Sequence, residues 1–352
     1  MNKHSIVREI LKKRALEPKY AQGTAFAPSN IALCKYWGKR NAELNLPTTS
    51  SLSISLGEFG AKTTISLLEA EQTDIVLVNG KQVNAESIFV KNLIAFLNLF
   101  RPSSFSFYKI ETQVNIPIGA GLASSACGFA AIVGALNQLY DWQLPASALS
   151  ILARLGSGSA ARSFWHGFVE WHQGVENNGM DSFGVPLLQK WPNLRIGLLI
   201  FNTAQKSVSS RIAMQNTVLT SPFYATWPKK HSLDLQRLRI AIKEWDFNAL
   251  GETAESNALA MHALMLTANP TICYSQADTI AAMHKIWHHR RLGLSLYFTQ
   301  DAGPNLKLIF LEQDSTAVTA IFPEVKIVAP FSINTTEPLF TADKYELQGE
   351  VS

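Results

Sequence analysis

The sequence predicts an α+β protein built as two lobes, and three observations carry that prediction. At 352 residues the chain is long enough for two domains with cores of their own. It is 47% hydrophobic and 16% charged, a globular composition that leaves no room for a disordered majority. Strand-like alternation and helical spacing are mixed through both halves, which defines the α+β class. The first half reads as antiparallel strands with helices. The second reads as a split βαβ sheet with extra helices. There is no internal repeat or low-complexity tract.

The elements follow in order. Residues 1–20 hold six Lys/Arg (Lys3, Arg8, Lys12, Lys13, Arg14, Lys19) against Glu9 and Glu17. The rest of the chain carries 25 basic and 25 acidic residues, so the net charge of +4 belongs to this extension. A neutral body argues against a nucleic-acid binder. Ile6, Val7, Ile10 and Leu11 share one helical stripe, which suits a short helix docked on the protein or a partner subunit. A basic arm or a membrane-surface helix are the alternatives. Strands are expected at 22–34, 50–56, 63–68 and 74–78, with "NGK" (79–81) as a hairpin turn. A helix over 86–100, a strand over 105–116 and helices over 121–140, 145–155 and 159–166 come next, then a strand at 167–172. A boundary near 190, at "QKWPN", opens the second lobe with a strand at 194–203. Helices at 207–219, 231–245, 247–265 and 272–290 follow. The lobe ends with strands at 294–299 and 306–311, a helix near 314–321 and a strand at 325–330. This divides the chain into 1–20, 21–192 and 193–352. Cys34, Cys127 and Cys273 are scattered and odd in number, which fits a reducing cytoplasm and not a disulfide framework or zinc site. No apolar run is long enough to span a bilayer, and the first 20 residues lack the apolar core of a signal peptide.

Five short polar stretches stand out. "NIPIGAGLASSACGF" (115–129) places glycines and serines where a strand gives way to a long helix. Backbone N–H groups at such a helix start attract anions, and small residues let a phosphate come close. A tight turn and a small helix face explain the same letters. "APSNIALCKYWGKR" (27–40) groups Asn30, Lys35, Tyr36, Lys39 and Arg40 at a strand end. "RLGSGSAARS" (154–163) repeats the Gly/Ser helix start with Arg162 one turn in, and "KSVSSRIAM" (206–214) is a third. "TQDAGPN" (299–305) puts Asp301 in a Gly-Pro turn after a strand. Serine capping, turn formation and solvated lysines account for any one of these. Three such starts with basic neighbours in a neutral body suggest a site for several phosphates. "GAGLAS" half-matches a dinucleotide fingerprint but lacks its third small residue and its acid, and no P-loop or nucleophile elbow is present. His284 and His288 lack the glutamate of a zinc-protease helix.

Together, "APSNIALCKYWGKR", "LPTTSSLSISL", "GLASSACGFAA", "ARLGSGSAARS" and "FTQDAGPN" resemble the diphosphomevalonate decarboxylase family, within the superfamily of galactose, homoserine, mevalonate and phosphomevalonate kinases. The resemblance runs from about residue 24 to about residue 330. It implies an N-terminal ribosomal-protein-S5-like lobe, a C-terminal ferredoxin-like lobe and a deep cleft between them. It also implies ATP as cosubstrate, Mg2+, a small-molecule diphosphate substrate and a homodimer. Asp301, Lys35 and Arg162 would be catalytic: Asp301 at the substrate hydroxyl, Lys35 paired with it, and Arg162 on the substrate carboxylate. Asn30, Tyr36, Lys39, Ser157, Ser159, Ser210 and Met214 would contact substrate. Gly119, Ala120, Gly121, Leu122, Ala123, Ser124 and Ser125 would hold the ATP phosphates, with Ser125 also toward Mg2+. The family's monophosphate decarboxylases, mevalonate 3-kinases and a non-catalytic ligand sensor are the competing readings. Ala213 stands where many members have Gly, and the basic extension lies outside the family pattern.

Overall fold

The computed structural model describes residues 2–12, 14, 16–68, 73–101, 106–116, 124–203 and 207–331. The chain begins with helix α1 (Lys3–Leu11), capped by the Asn2 side chain, which accepts from Ser5 N at 2.9 Å. Ile6, Val7, Ile10 and Leu11 are all buried in the main core, and α1 packs on α4 (Ala146–Gly156). The apolar stripe is therefore docked on the protein itself.

The first sheet has seven strands. β1 (Gln22–Cys34) leads to the two-stranded ribbon of β2 (Lys39–Asn41) and β3 (Leu46–Pro47), and then to β4 (Ser51–Leu68). β5 (Ile75–Val78) and β6 (Lys81–Gln82) form the expected hairpin, with Asn79 and Gly80 both at positive φ. α2 (Ile88–Leu97), β7 (Phe107–Val114), α3 (Ser124–Leu139), α4, a 3-10 turn (Gly158–Arg162), β8 (Phe168–Trp171) and β9 (Gly184–Pro186) complete this part. The order is β6-β5-β7-β4-β8-β9, with β1 also paired to β4. Only β5 and β7 run parallel among its pairs.

Two expectations change here. The strands predicted at 50–56 and 63–68 are one 18-residue strand, β4. Its first residues pair with β8, its last eight with β7, and β1 runs beside nearly all of it. Gly57, at φ +60°, and a register shift between Pro28 and Asn30 bend the strand without ending it. The helix predicted over 159–166 is only the 3-10 turn.

The second sheet has four strands. β10 (Leu194–Leu199) is followed by α5 (Ser210–Thr220), α6 (Trp227–Glu244), α7 (Phe247–Leu266) and α8 (Ala277–Arg291). Then come β11 (Tyr297–Gln300), β12 (Leu306–Leu311), α9 (Ser315–Ile321) and β13 (Lys326–Val328). The order β11-β12-β10-β13, all antiparallel, is that of a split βαβ sheet, a ferredoxin-like arrangement with additional helices. One core lies under the large sheet and a second under the four-stranded sheet. A third joins Trp37, Met214, Trp227, Met261 and Ala302 where the two sheets meet.

Ile6 is fully buried, so Ile6→Ala should lower the unfolding free energy by about 2–5 kcal/mol. Denaturant unfolding would show it. A midpoint unchanged from wild type would mean that the helix is an undocked arm in solution.

Candidate active site

Asp301 is the centre of the candidate site. It follows β11, in the turn whose next strand, β12, carries Lys307. Lys35 follows β1 of the other sheet. Lys35 Nζ donates to Asp301 Oδ1 at 2.8 Å, and Lys307 Nζ lies 3.0 Å from Asp301 Oδ2. Both lysines are almost wholly buried. Burial pushes the Asp301 carboxyl up, but the ammonium groups of Lys307 and Lys35 more than reverse this. They hold it well below the usual carboxylate range. Burial pushes the Lys35 ammonium down, opposed by Asp301. The site thus holds an ionised carboxylate in a largely dry setting.

Its neighbours are fixed by hydrogen bonds. Lys35 Nζ also donates to the Ala32 carbonyl (2.7 Å), and Lys35 N to Asn257 Oδ1 (2.8 Å). His262 Nε2 lies 3.1 Å from the Asp301 carbonyl. Burial pushes His262 down to about 4, so it is neutral at physiological pH. Arg162 is buried at the end of the 3-10 turn. It donates through Nε to Asn30 Oδ1 (3.3 Å) and through a terminal nitrogen to Ser51 Oγ. Asn30 Nδ2 in turn donates to Ser163 Oγ (2.8 Å) and to the Ser159 carbonyl (3.3 Å). Desolvation lowers the Arg162 guanidinium to about 10, with the Asp301 charge working against it. The predicted Asn30, Lys35, Ser159, Arg162 and Asp301 therefore share one neighbourhood.

The other predicted residues surround it. Ser157 ends α4, with its Oγ 3.3 Å from Ser159 Oγ and 3.4 Å from Ser125 Oγ on the first turn of α3. This links two of the Gly/Ser stretches. Gly158 is required here: a Cβ would lie 2.8 Å from Tyr36 Cε1 and 2.9 Å from the Trp171 ring. Tyr36 packs edge-on against Trp171, and its buried hydroxyl has no hydrogen-bond partner among the described residues. Burial pushes that phenol up, so it stays a neutral donor. Gly38, at φ +122°, leaves room for the Tyr224 hydroxyl, which a Cβ would meet at 1.8 Å. Ser210 is the first residue of α5, and Ser209 rather than Ser210 caps that helix, accepting from Ile212 N at 3.3 Å. Met214 is buried with Trp37 and Ala213 in the junction core. Lys39 stands apart from Asp301. Its Nζ donates to Asn45 Oδ1 at 2.7 Å, and Asn45 Nδ2 reaches the Arg154 carbonyl of α4 at 2.8 Å. Gly119, Ala120, Gly121, Leu122 and Ala123 lie outside the described residues, as does the side chain of Ser124.

Profiles described as the diphosphomevalonate decarboxylase-like N-terminal domain and the mevalonate 5-diphosphate decarboxylase C-terminal domain match residues 27–184 and 196–346. The chain belongs to the diphosphomevalonate decarboxylase family. It is 35% identical to the diphosphomevalonate decarboxylase of Schizosaccharomyces pombe, over 86% of this chain and 82% of that protein. It is 34% identical to the Saccharomyces cerevisiae enzyme, over 84% and 79%. Among solved structures it is similar to the mevalonate diphosphate decarboxylase of Enterococcus faecalis (TM-score 0.81, 38% identity, 88% of this chain and 98% of that one). A structure described as MDDEF in complex with MVAPP, AMPPCP and magnesium gives a TM-score of 0.82 at 38% identity, over 88% and 98%. These similarities bear out the two-lobed fold of the small-molecule kinase superfamily.

Sequence reasoning missed Lys307, Asn257, His262 and Ser51. Lys307 left a readable trace, a lone lysine inside the buried apolar strand "LKLIFL". Asn257 and His262 left none, because nothing in a helical pattern says which polar residue meets a loop of another sheet.

Removing Lys307 should release the Asp301 carboxyl. In Lys307→Gln its pKa should rise, since one of the two charges holding it down is gone. Carbon-detected NMR titration of Asp301 would read this, and an unmoved titration would show that Lys35 suffices.

Proposed function

We propose that the chain catalyses the ATP-dependent decarboxylation of (R)-5-diphosphomevalonate to isopentenyl diphosphate, CO2, ADP and phosphate, in the mevalonate pathway of isoprenoid biosynthesis. The observation that carries this reading is the buried Lys35–Asp301–Lys307 group with Arg162 beside it. The similarity to structures described with MVAPP, AMPPCP and magnesium supports it.

The residues account for each stage. Asp301, fully ionised, orients the 3-hydroxyl of the substrate and accepts its proton. A carboxylate with so low a pKa is a weak base, so the proton moves only as the oxygen bonds to the γ-phosphorus and becomes acidic. ADP departs as that bond forms. The C3–O bond then breaks, releasing phosphate. The electron pair of the bond to the carboxylate carbon moves in to form the new double bond, and CO2 leaves. Arg162, already oriented by Asn30 and Ser51, presents a planar fork to the carboxylate. Lys35 and Lys307 stabilise negative charge near the transferring oxygen.

The start of α3 suits the ATP phosphates. Ser125 Oγ is exposed there, beside Ser157. Among the described residues no cluster of three or more His, Cys, Asp or Glu could form an all-protein metal cage. A lone hydroxyl fits Mg2+, which keeps waters and substrate phosphates as ligands. When bound, the ion neutralises phosphate charge. Tyr36, Lys39, Ser157, Ser159 and Ser210 surround the remaining substrate groups, with Lys39 and Ser210 toward the 5-diphosphate and Met214 packed behind them. We place residues 21–192 as the ATP-binding lobe and 193–352 as the second lobe, and the enzyme as a cytoplasmic homodimer.

Product analysis with Mg-ATP and, separately, mevalonate, its 5-phosphate and its 5-diphosphate tests the reading. Matched ADP and CO2 only with the diphosphate is expected. ADP without CO2 would make the protein a kinase. Asp301→Asn should keep substrate affinity within a few-fold and lower kcat by 10³-fold or more, on the order expected for a group acting in the transition state. Burial, with the charges of Arg211 and Lys3, lowers the Lys39 ammonium to about 8. Lys39 is charged below that pH and neutral above it. The kcat/KM for the diphosphate should therefore fall as pH rises through about 8, and a flat profile from pH 7 to 9 would remove Lys39 from the site.

A further inference from the structure

One neutral residue holds the Lys39 ammonium. Asn45 lies in the turn between β2 and β3, buried, with φ +53°, a left-handed conformation that asparagine adopts more readily than most residues. Its amide is used at both ends. Oδ1 accepts from Lys39 Nζ at 2.7 Å, and Nδ2 donates to the Arg154 carbonyl at 2.8 Å and the Leu155 carbonyl at 3.2 Å. Those carbonyls belong to the last turn of α4, where helical carbonyls lack partners within the helix. The amide cannot be turned over. An ammonium only donates and a carbonyl only accepts, so Oδ1 must face Lys39 and Nδ2 must face the helix. Arg154 closes the arrangement from the other side. Its buried side chain donates through Nε to the Leu44 carbonyl at 3.2 Å and through Nη1 to the Gly179 carbonyl at 2.7 Å. Residues 44–45 and 154–155 thus grip each other through backbone and side chain together. α4 ends at Gly156, with Ser157 and Ser159 directly after it, so the same grip sets Lys39 relative to that Gly/Ser turn. Among the described residues no carboxylate pairs with Lys39.

We propose that Asn45 is a positioning residue of the diphosphate subsite, which fixes the Lys39 ammonium in place for the substrate's diphosphate without neutralising it. This rests on the reading that Lys39 faces the 5-diphosphate. A lysine free in solvent has to be ordered by its ligand, whereas one already tethered does not. A carboxylate would tether it too, but it would cancel the positive charge and repel phosphate. A neutral amide tethers it and does neither. Through that amide the partial negative charge at the C-terminus of α4 supports the ammonium, since each hydrogen bond of the chain polarises the next. One donor of the ammonium is taken by Oδ1 and, among the described residues, the other two are open to phosphate oxygens.

The test uses the full chain as wild type, Lys39→Gln, Asn45→Ser, Asn45→Asp and the double variant of Asn45→Ser with Lys39→Gln. Asn41→Ala is the control, because Asn41 Oδ1 accepts from Leu44 N at 3.0 Å in the same turn and does not bond Lys39. Binding of inorganic pyrophosphate is measured by calorimetry, and turnover of the 5-diphosphate by steady-state kinetics. A serine is too short to span α4 and Lys39. Asn45→Ser should raise the pyrophosphate Kd and the KM by about 5- to 20-fold, with kcat within about threefold, as for loss of a charge-assisted contact. The double variant should bind no more weakly than Lys39→Gln alone, because Asn45 acts through Lys39. Asn45→Asp puts a carboxylate beside the ammonium and raises its pKa, so the alkaline limb of kcat/KM should move above about 8. That arm also gives the answer should Asn45→Ser not fold. A merely structural residue would give additive losses and an unmoved limb, and either would overturn the proposal. So would an unchanged Kd in Asn45→Ser beside a weakened Lys39→Gln, or a loss in Asn41→Ala equal to that in Asn45→Ser. An unchanged pyrophosphate Kd in Lys39→Gln would overturn the reading of the subsite, and the proposal with it. No wild-type turnover would overturn the functional reading, and the calorimetry would then decide Asn45 by itself.

Discussion

Asp301 can stay ionised in the interior only because two ammonium groups reach it, and those groups come from different sheets. Lys35 lies 266 residues away along the chain and follows β1 of the seven-stranded sheet. Lys307 lies on β12 of the four-stranded sheet. Without them burial alone would push the Asp301 carboxyl up. Removing one partner of such a group typically costs about 3–5 kcal/mol, because the remaining charge is left buried and uncompensated. The two sheets must therefore meet in one register for the group to exist, and much of the surrounding structure serves that register.

The helices of the second half supply it. Asn257 of α7 holds the Lys35 amide and donates to Asp234 Oδ2 of α6 at 2.8 Å. His231 Nε2 of α6 lies 2.8 Å from the Lys35 carbonyl. Arg239 of α6 reaches across to Glu170 of β8, where its Nε is 2.8 Å from Oε2. Burial pushes both His231 and His262 down to about 4, so both position backbone groups without adding positive charge at physiological pH. The charge at the centre is thus set by one aspartate, two lysines and the neighbouring arginine.

A second cationic region, around Lys39, is separated from this centre by only a short span of chain. Tyr36 and Trp37 pack into Trp171 and the junction core. Gly38, at positive φ, lets the chain turn close under Tyr224 before Lys39. One strand end thereby serves both regions. Lys35 turns to Asp301 and Lys39, four residues on, to Asn45, so the separation between them is built into the backbone. Ser125 and the stretch 157–159 lie beside the same strand end, where Gly158 fits closely against Tyr36.

Local patterns determined a good part of this protein. The alternation of β1, the Asn-Gly turn before β6 and the apolar stripe of α1 could be read directly, because each depends on residues a few positions apart. The motifs around Lys35, Arg162 and Asp301 were legible as a family resemblance. Their partnership was not contained in any one of them. Two segments were misread for a physical reason. Gly57 and Gly60 look like the end of a strand, yet pairing with β1, β7 and β8 carries β4 through them. The 159–166 pattern looks helical, but Gly158 and its close fit to Tyr36 and Trp171 confine it to one tight turn. Only the tertiary structure decided that Lys35, 266 residues away at a strand end of the other sheet, and Lys307 both meet Asp301. The first joins side chains far apart in sequence and the second reaches across a turn from β12, and a charge buried by packing has no local pattern to announce which opposite charge will meet it.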